Sequence, residues 1–214
     1  LEIYRRETFR LAQERRLKLF AHDQRLWEEG LRFAGLDEAG RGPLAGSVVA
    51  ACVVLDPRRP MMPYIDDSKK LSELRREQVY ERIMQEAVFV GIGEASAQEI
   101  DRYNILEATR LAMCRAAKDA PVQLFYIDAL REVGLMGEER PMIKGDALCY
   151  AIAAASIVAK VTRDREMRVL EENFPGYGFA RHKGYGTAAH YEALRRLGPC
   201  PVHRRSFLKG FLGP

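Results

Sequence analysis

The chain has 214 residues and a mass of 24.3 kDa, and 47% of its residues are hydrophobic and 30% charged. These values are typical of one large globular domain and exclude a disordered, collagen-like or coiled-coil chain. The formal net charge is only +4, but residues 181–214 hold seven Lys and Arg against one acid, which leaves −2 for residues 1–180. A basic end beside a slightly acidic body favours a polyanionic partner, although a solvated tail would have the same composition.

The first predicted element is an amphipathic helix over residues 5–30, where apolar side chains such as Trp27 recur at helical spacing. Gly30 supplies a stop signal for this helix. We therefore interpret residues 1–31 as an N-terminal helical appendage. Residues 32–214 then form the main domain, which includes the short basic C-terminal tail.

The main domain shows strand patterns that begin as a hairpin and then alternate with helices. The predicted strands are 32–37, 47–55, 88–95, 122–128 and a short 141–144, and the predicted helices are 71–87, 96–103, 105–118, 146–173 and 187–197. A Gly-rich aromatic loop over 174–186 precedes the last helix. This order favours an α/β fold with a mixed sheet.

The cysteines and the hydropathy of the sequence indicate in which cellular compartment the protein is expected. The four cysteines form no C-x-x-C pair, which argues against a zinc site and a disulfide framework and favours reduced thiols in the cytoplasm. The apolar stretch 147–161 is too short to span a bilayer, so it predicts a buried helix and no membrane contact. Because the chain begins with Leu rather than Met, we expect a preceding segment.

Four acidic residues stand where predicted elements end or begin: Asp37 and Glu38 after the first strand, Asp128 after the fourth, and Asp146 before the long helix. Ligands gather at such edges in α/β folds, and carboxylates that converge there repel one another unless a cation neutralises them. An all-oxygen set of ligands favours Mg²⁺ or Mn²⁺ over zinc. Each acid alone also has a structural explanation, such as Asp146 as a helix N-cap.

Three further segments suggest contacts with a polyanion. The segment 40–42 (GRG) lets backbone groups approach a ligand closely, although by itself it is better explained as a plain hairpin turn, and no Walker or dinucleotide motif is present. Lys69 and Lys70 lie beside a helix start, where they could bind phosphate or simply be solvated. Tyr185, between two glycines in a basic loop, could stack on a base or sugar or pack on the core.

The motifs resemble those of the ribonuclease HII family, the type 2 ribonucleases H, over residues 33–207. They are GLDEAGRGPLAG (35–46), DDSKKLS (66–72), YNILEATRLAM (103–113), IDA (127–129), IKGDALCYAIAAASIVAKVTRDR (143–165), HKGYGT (182–187) and HRRSF (203–207). The resemblance implies a ribonuclease H-like mixed sheet flanked by helices. It also implies an endonuclease that hydrolyses the RNA strand of RNA·DNA hybrids and cleaves 5′ of ribonucleotides embedded in duplex DNA, leaving 3′-hydroxyl and 5′-phosphate ends.

The resemblance assigns roles to individual residues. Its catalytic and metal-binding acids fall on Asp37, Glu38, Asp128 and Asp146, its 2′-hydroxyl sensor falls on Gly40, Arg41 and Gly42, and its junction-reading tyrosine falls on Tyr185. Two residues depart from the family pattern. Ser47 stands where the family usually has proline. Ala129 stands where the family usually has glycine, and it is expected to restrict the local backbone slightly.

Two-metal hydrolysis by these four acids, with Mg²⁺ or Mn²⁺, is the predicted mechanism. Two alternatives are a related nuclease, such as a DNA junction resolvase, and a non-catalytic nucleic-acid-binding module. We expect a monomer whose tail cations, including Arg204 and Arg205, bind phosphate together with Lys69 and Lys70. The terminal segment with Phe207 and Phe211 either contacts a sliding clamp or docks on the core of its own domain.

Overall fold

The computed structural model describes residues 2–66 and 68–211, except for the side chains of residues 2–6, 8 and 70. Its elements are α1 (Glu2–Glu28), β1 (Ala34–Ala39), β2 (Val48–Val54), α2 (Glu73–Glu86), β3 (Phe89–Ala95), α3 (Ala97–Ala117), β4 (Leu124–Asp128), β5 (Glu138–Met142), α4 (Tyr150–Asn173), α5 (Phe179–His182) and α6 (Ala188–Leu197). Short 3₁₀ turns lie at Ser68–Lys70, Gly145–Ala147 and Arg205–Phe207.

The strands form one five-stranded mixed sheet in the order β3-β2-β1-β4-β5. The strands β1, β2 and β3 pair antiparallel in sequence, whereas β4 pairs parallel with both β1 and β5. The predicted hairpin and mixed sheet are therefore confirmed. Because Leu36 of β1 pairs with Ile127 of β4, the next residues, Asp37 and Asp128, lie at the same edge of the sheet.

Helices cover both faces of the sheet. One apolar cluster joins α4, α1 and α2 to one face, and a second joins α3 to the other. The helix α4 crosses β1 so closely that a Cβ atom on Gly35 would collide with the backbone of Ala151. Glycine at this position therefore lets the backbone of α4 rest directly on the strand that carries the first two acids.

The helix α4 begins later than predicted, at Tyr150 rather than at residue 146. Asp146 instead lies in the preceding 3₁₀ turn, so the helix-cap explanation for this acid is wrong. The cap comes from α1, because the buried Asp23 carboxylate accepts hydrogen bonds from the amides of Tyr150 at 3.0 Å and Ala151 at 2.8 Å. The helix predicted over residues 5–30 thus stabilises the N-terminus of α4.

The other predicted boundaries differ in smaller ways. The fifth strand spans Glu138–Met142 rather than 141–144, and the loop 174–186 contains the short helix α5. The two helices predicted on either side of residue 104 are joined into α3 across a kink at Asn104, which has φ 70° and ψ 167°. No helix in the described part of the chain has the length and hydropathy of a bilayer span.

Candidate active site

The first three acids line one cleft of about 320 Å³ at the edge where β1 and β4 end. Asp37 and Glu38 project from β1, and Asp128 is the last residue of β4. The strand ends at Ala39, and Gly40 follows with φ 95°, a conformation that favours glycine. A Cβ atom on Gly40 would also collide with the Arg163 side chain, so glycine is required there for packing as well.

The Asp37 carboxyl is the most perturbed of the acids. Burial raises the pKa of Asp37 well above its usual range, and the charges of Glu38 and Asp128 raise it further. The Glu38 amide donates a 2.7 Å hydrogen bond to Asp37 Oδ1, which partly opposes these effects. Burial also raises the pKa of Glu38, although Arg41, whose Nη1 lies 3.5 Å from Glu38 Oε1, opposes the shift.

The Asp128 carboxyl links the cleft to the turn that holds the fourth acid. Burial raises the pKa of Asp128, the Gly145 amide opposes the shift with a 2.7 Å hydrogen bond, and the Asp146 charge raises the pKa again. Asp146 follows Gly145 directly, and its Oδ2 lies 4.0 Å from Nζ of Lys69. The structure therefore places Asp146 beside the cleft, next to Asp128.

The donor set fits divalent metal ions. Three neighbouring carboxyls whose pKa values are raised by burial and mutual repulsion form a site that a cation would stabilise. All the donors are oxygen atoms, which suits Mg²⁺ or Mn²⁺. Among the described residues, no three of the four acids have oxygens that all lie within 4.8 Å of one another.

A different trio, His22, Asp23 and Cys149, does bring its ligand atoms within 4.8 Å of one another. Its carboxylate is already engaged by the amides at the start of α4 and by His22 Nδ1 at 2.8 Å. Burial raises the pKa of the Cys149 thiol well above its usual range. The carboxylate of this trio therefore serves as a helix cap.

The predicted substrate-binding residues surround the same cleft. Lys69 and Tyr185 line it, with 81% of the Lys69 side chain and 48% of Tyr185 exposed. A Cβ atom on Gly42 would lie 3.6 Å from the Tyr185 ring, so the Gly-Arg-Gly turn and the tyrosine are neighbours. Lys70 lies in the same 3₁₀ turn as Lys69, and its side chain is outside the described residues.

The cleft also contains three residues of α4 that the sequence motifs did not single out, namely Ser156, Lys160 and Arg163. Lys160 Nζ donates a 2.6 Å hydrogen bond to Asp164 Oδ1, and burial lowers the pKa of Lys160. Their spacing of about one helical turn is a signal that polar side chains share one face of an otherwise apolar helix. Lys160 and Arg163 thus add cationic groups beside the acids.

The phosphate role predicted for Arg204 is wrong, because this side chain is fully buried. Its guanidinium donates five hydrogen bonds to backbone carbonyls of the loop after β1, those of Gly40, Arg41, Pro43, Gly46 and Ser47. We call residues 40–47 the GRG loop. Arg204 therefore holds the GRG loop, while its exposed neighbour Arg205 stays a predicted phosphate contact.

The two departures from the family pattern have local consequences. The Ser47 amide and hydroxyl donate hydrogen bonds of 3.0 Å and 2.7 Å to the Glu166 carboxylate, and a proline at this position would lack the amide donor. Ala129 adopts φ 50°, a left-handed conformation that favours glycine. This conformation is strained for an alanine, so the restriction of the backbone beside Asp128 stays a prediction.

The C-terminal segment packs on its own domain as far as it is described. Leu208 is buried, and Phe207 and Phe211 join the apolar cluster under α5 and α6. The Phe211 ring lies 5.5 Å from that of Tyr191. The structure therefore favours docking on the core over an exposed clamp peptide, with residues 212–214 outside the described part.

Comparisons with known proteins agree with this architecture. Ribonuclease H2 from Pyrococcus horikoshii is 26% identical with a TM-score of 0.70, and the match covers 82% of this chain and 93% of that one. RNase HII in its PCNA complex from Archaeoglobus fulgidus is 28% identical with a TM-score of 0.70, and the match covers 81% and 94% of the two chains. The mixed sheet and its flanking helices therefore define a protein of the ribonuclease H fold.

The family follows from the sequence matches. The family model "Ribonuclease HII" matches residues 34–209. A ribonuclease HII from Caldanaerobacter subterraneus subsp. tengcongensis is 49% identical over 194 residues, which cover 89% of this chain and 80% of that protein. The chain belongs to the ribonuclease HII family, and it is thus a type 2 ribonuclease H, for which an RNA·DNA hybrid is the implied substrate.

Proposed function

We propose that this endonuclease hydrolyses the RNA strand of RNA·DNA hybrids and also cleaves on the 5′ side of ribonucleotides embedded in duplex DNA. The observation that carries the proposal is the meeting of the acids, the Gly-Arg-Gly turn and Tyr185 around one cleft. The 2′-hydroxyl is the group that distinguishes RNA from DNA. A nuclease that acts on a single ribonucleotide needs this recognition directly beside its catalytic carboxylates.

In the proposed mechanism Asp37, Glu38, Asp128 and Asp146 hold two divalent ions, Mg²⁺ or Mn²⁺. The ions would supply an activated water and stabilise the leaving 3′ oxygen, so that 3′-hydroxyl and 5′-phosphate ends result. The Gly145 amide orients Asp128 by its 2.7 Å hydrogen bond, and Arg41 orients Glu38.

Substrate recognition in this proposal uses the residues around the acids. The backbone of Gly40, Arg41 and Gly42 reads the 2′-hydroxyl, because glycines let a ligand approach the main chain closely. Tyr185 packs on the deoxyribose that follows the ribonucleotide. Lys69 and Lys70 bind phosphate, and neutralising either one should reduce the salt dependence of binding.

The test is cleavage of a DNA duplex that contains one ribonucleotide, with cleavage-site mapping in Mg²⁺ and in Mn²⁺. Asp37→Asn and Asp128→Asn should each lower kcat/KM by more than about 100-fold, since even residues that only support metal ligands cost 10–100-fold. Asp119→Asn is the matched control, because Asp119 is exposed in the turn after α3. Full metal-dependent activity in either cleft variant, or equal cutting of an all-DNA four-way junction, would refute the proposal.

A sliding clamp is the second partner in question, because the similar protein from Archaeoglobus fulgidus was solved in a complex with PCNA. We infer that clamp contact by this chain would require its C-terminal segment to leave the apolar cluster that holds Leu208 and Phe211. Deleting residues 208–214 should therefore lower the melting temperature. If clamp binding is lost and the melting temperature does not change, the segment is a clamp peptide and not part of the core.

A further inference from the structure

A chain of hydrogen bonds runs from Cys200 through two buried histidines to the backbone of Tyr185. The Cys200 amide nitrogen lies 3.0 Å from His203 Nδ1, and His203 Nε2 lies 3.0 Å from His190 Nε2. His190 Nδ1 lies 2.9 Å from the Tyr185 carbonyl oxygen. We call His203 and His190, with these three bonds, the histidine chain.

The direction of every proton in the histidine chain follows from one obligatory donor. His203 Nδ1 lies 3.0 Å from the Cys200 amide, which can only donate, and 3.3 Å from the Cys200 carbonyl, which can only accept. The shorter contact favours an accepting Nδ1, which places the single proton of a neutral His203 on Nε2. That proton is donated to His190 Nε2, which places the proton of His190 on Nδ1. His190 therefore donates to the Tyr185 carbonyl, and each bond has one donor and one acceptor.

A third histidine fixes the other side of the same loop. The Gly184 amide donates to His182 Nδ1 at 3.2 Å, and His182 Nε2 lies 2.7 Å from the Tyr177 carbonyl, to which it donates. The His182 ring stacks on His190 with centroids 4.4 Å apart. The residues on both sides of the Gly184–Tyr185 peptide are thus bonded to imidazoles.

The histidine chain works only while both of its rings are neutral. A proton gained by His190 would set two N–H groups against each other across its 3.0 Å contact with His203, and a proton gained by His203 would do the same across its 3.0 Å contact with the Cys200 amide. Both rings are buried, and in the described part of the chain no carboxylate bonds to them, so nothing compensates a charge there. Their titratable neighbours are His182, Tyr177 and Cys200, and burial lowers the pKa of His203 to about 4.

Tyr185 depends on its backbone for its place at the cleft. In the described structure its hydroxyl makes no hydrogen bond, and half of the residue is exposed. The loop that carries Tyr185 begins with two residues in the left-handed conformation, Lys183 at φ 52° and Gly184 at φ 79°. This conformation is strained for a lysine, so contacts with the rest of the fold must stabilise it. The Tyr185 carbonyl lies 2.9 Å from His190 Nδ1 and also accepts a 2.8 Å hydrogen bond from the Thr187 amide, so these two donors together hold the backbone that carries the ring.

We propose that the histidine chain is a positioning element that holds Tyr185 at the active site in its neutral state. His190 and His203 touch neither the reacting atoms nor the substrate, and they act only through the loop. The role rests on the proposed function, because it assumes that Tyr185 contacts the substrate.

The first test measures protonation without any catalysis. Long-range ¹H–¹⁵N spectra of the full chain at pH 7 should show neutral rings, with the proton of His203 on Nε2 and that of His190 on Nδ1. A charged ring, or the opposite tautomer of either residue, overturns the proposal. This result does not depend on whether the chain cleaves ribonucleotides.

The second test compares His190→Phe, which removes both bonds, with His190→Gln, which can donate to Tyr185 and accept from His203. Hydrogen exchange near Tyr185 should accelerate in the Phe variant and less so in the Gln variant. On a single-ribonucleotide duplex, the Phe variant should lose roughly five- to tenfold in kcat/KM, the effect of one hydrogen bond. The Gln variant should recover most of that activity.

A double-mutant cycle separates positioning from a general structural role. In the Tyr185→Ala background, His190→Phe should change kcat/KM by less than about twofold, because the residue it positions is gone. An equal loss in both backgrounds overturns the proposal. If the wild-type chain does not cut the duplex at all, the proposed function fails, while the tautomers and exchange rates still decide whether the histidine chain holds the loop.

Discussion

The prediction that the structure changes most concerns Arg204. The sequence suggests a phosphate-binding cation at this position, whereas the side chain lies inside the fold. An arginine side chain has five N–H donors, and all five of Arg204 are donated to carbonyls of the GRG loop. We choose Arg204→Lys as the perturbation, because it keeps the positive charge and removes the fork of donors.

The size of the effect follows from counting bonds. A lysine ammonium has three N–H groups, so at least two of the five carbonyls lose their partner. A hydrogen bond to a charged group contributes about 1.5–3 kcal/mol, and an unpaired buried carbonyl costs a similar amount. We therefore expect the free energy of unfolding to fall by about 3–5 kcal/mol. For a domain of this size that corresponds to a drop in melting temperature of roughly 10 °C.

The assay combines thermal unfolding with the salt dependence of binding to an RNA·DNA hybrid. Arg204→Lys should lower the melting temperature and kcat/KM, because the Gly-Arg-Gly turn loses its anchor, and should leave the salt slope unchanged. The matched control is Arg205→Ala, which removes an exposed cation and should reduce the slope by about 0.9 for one phosphate contact. An unchanged melting temperature in Arg204→Lys would refute the reasoning.

Three further predictions concern stability. Ala129→Gly should raise the melting temperature by roughly 2–4 °C, because it removes about 1 kcal/mol of left-handed strain, and Glu132→Gly, at φ 54°, should do the same away from Asp128. Asp23→Asn should lower the free energy of unfolding by about 1–2 kcal/mol in denaturant titrations, since it weakens the cap on α4; no change would contradict that role. The lowered pKa of His203 means that the unfolded chain binds a proton first, so stability should fall by up to about 3 kcal/mol between pH 6.5 and 4. Because burial also lowers the pKa of His190, His203→Gln should reduce this slope without abolishing it, and an unchanged slope would contradict the prediction.

Local sequence patterns are sufficient to predict the fold, because the pattern of each strand or helix is typical of one kind of element. The strand β2 is buried along its whole length, and its β-branched sequence predicts that directly. The helix α4 begins at Tyr150 and not at the predicted residue 146, for a reason that no local sequence pattern could reveal. Its cap is the Asp23 carboxylate, which lies more than 120 residues earlier in the chain. The Asp146 turn therefore resembles a helix start in sequence only.

In the candidate site, too, some residues could be predicted from local sequence and others depend on contacts made only in the fold. Asp37 and Asp128 follow apolar strand residues, so the sequence predicts that they meet at one edge, and the parallel register brings them there. The roles of Arg204 and His190 depend on what lies opposite them in space. The partners of Arg204 are carbonyls some 160 residues away, and those of His190 are a carbonyl and another imidazole. Such contacts leave no periodicity that could be detected from the sequence.

The uneven charge of residues 1–180 and 181–214 therefore does not show which cations face the cleft in the folded protein. Residues 181–214 contribute all of the excess positive charge, but one of these residues, Arg204, is buried and donates its hydrogen bonds to loop carbonyls inside the fold. The cations that face the cleft come instead from the acidic body, where Lys69 and Lys160 line it. A phosphate that enters the cleft thus meets these ammonium groups beside the carboxylates. We therefore expect Lys160→Met to weaken binding of an uncleaved hybrid more than neutralisation of any single tail residue, and the reverse order of affinities would show that the tail is the main phosphate contact.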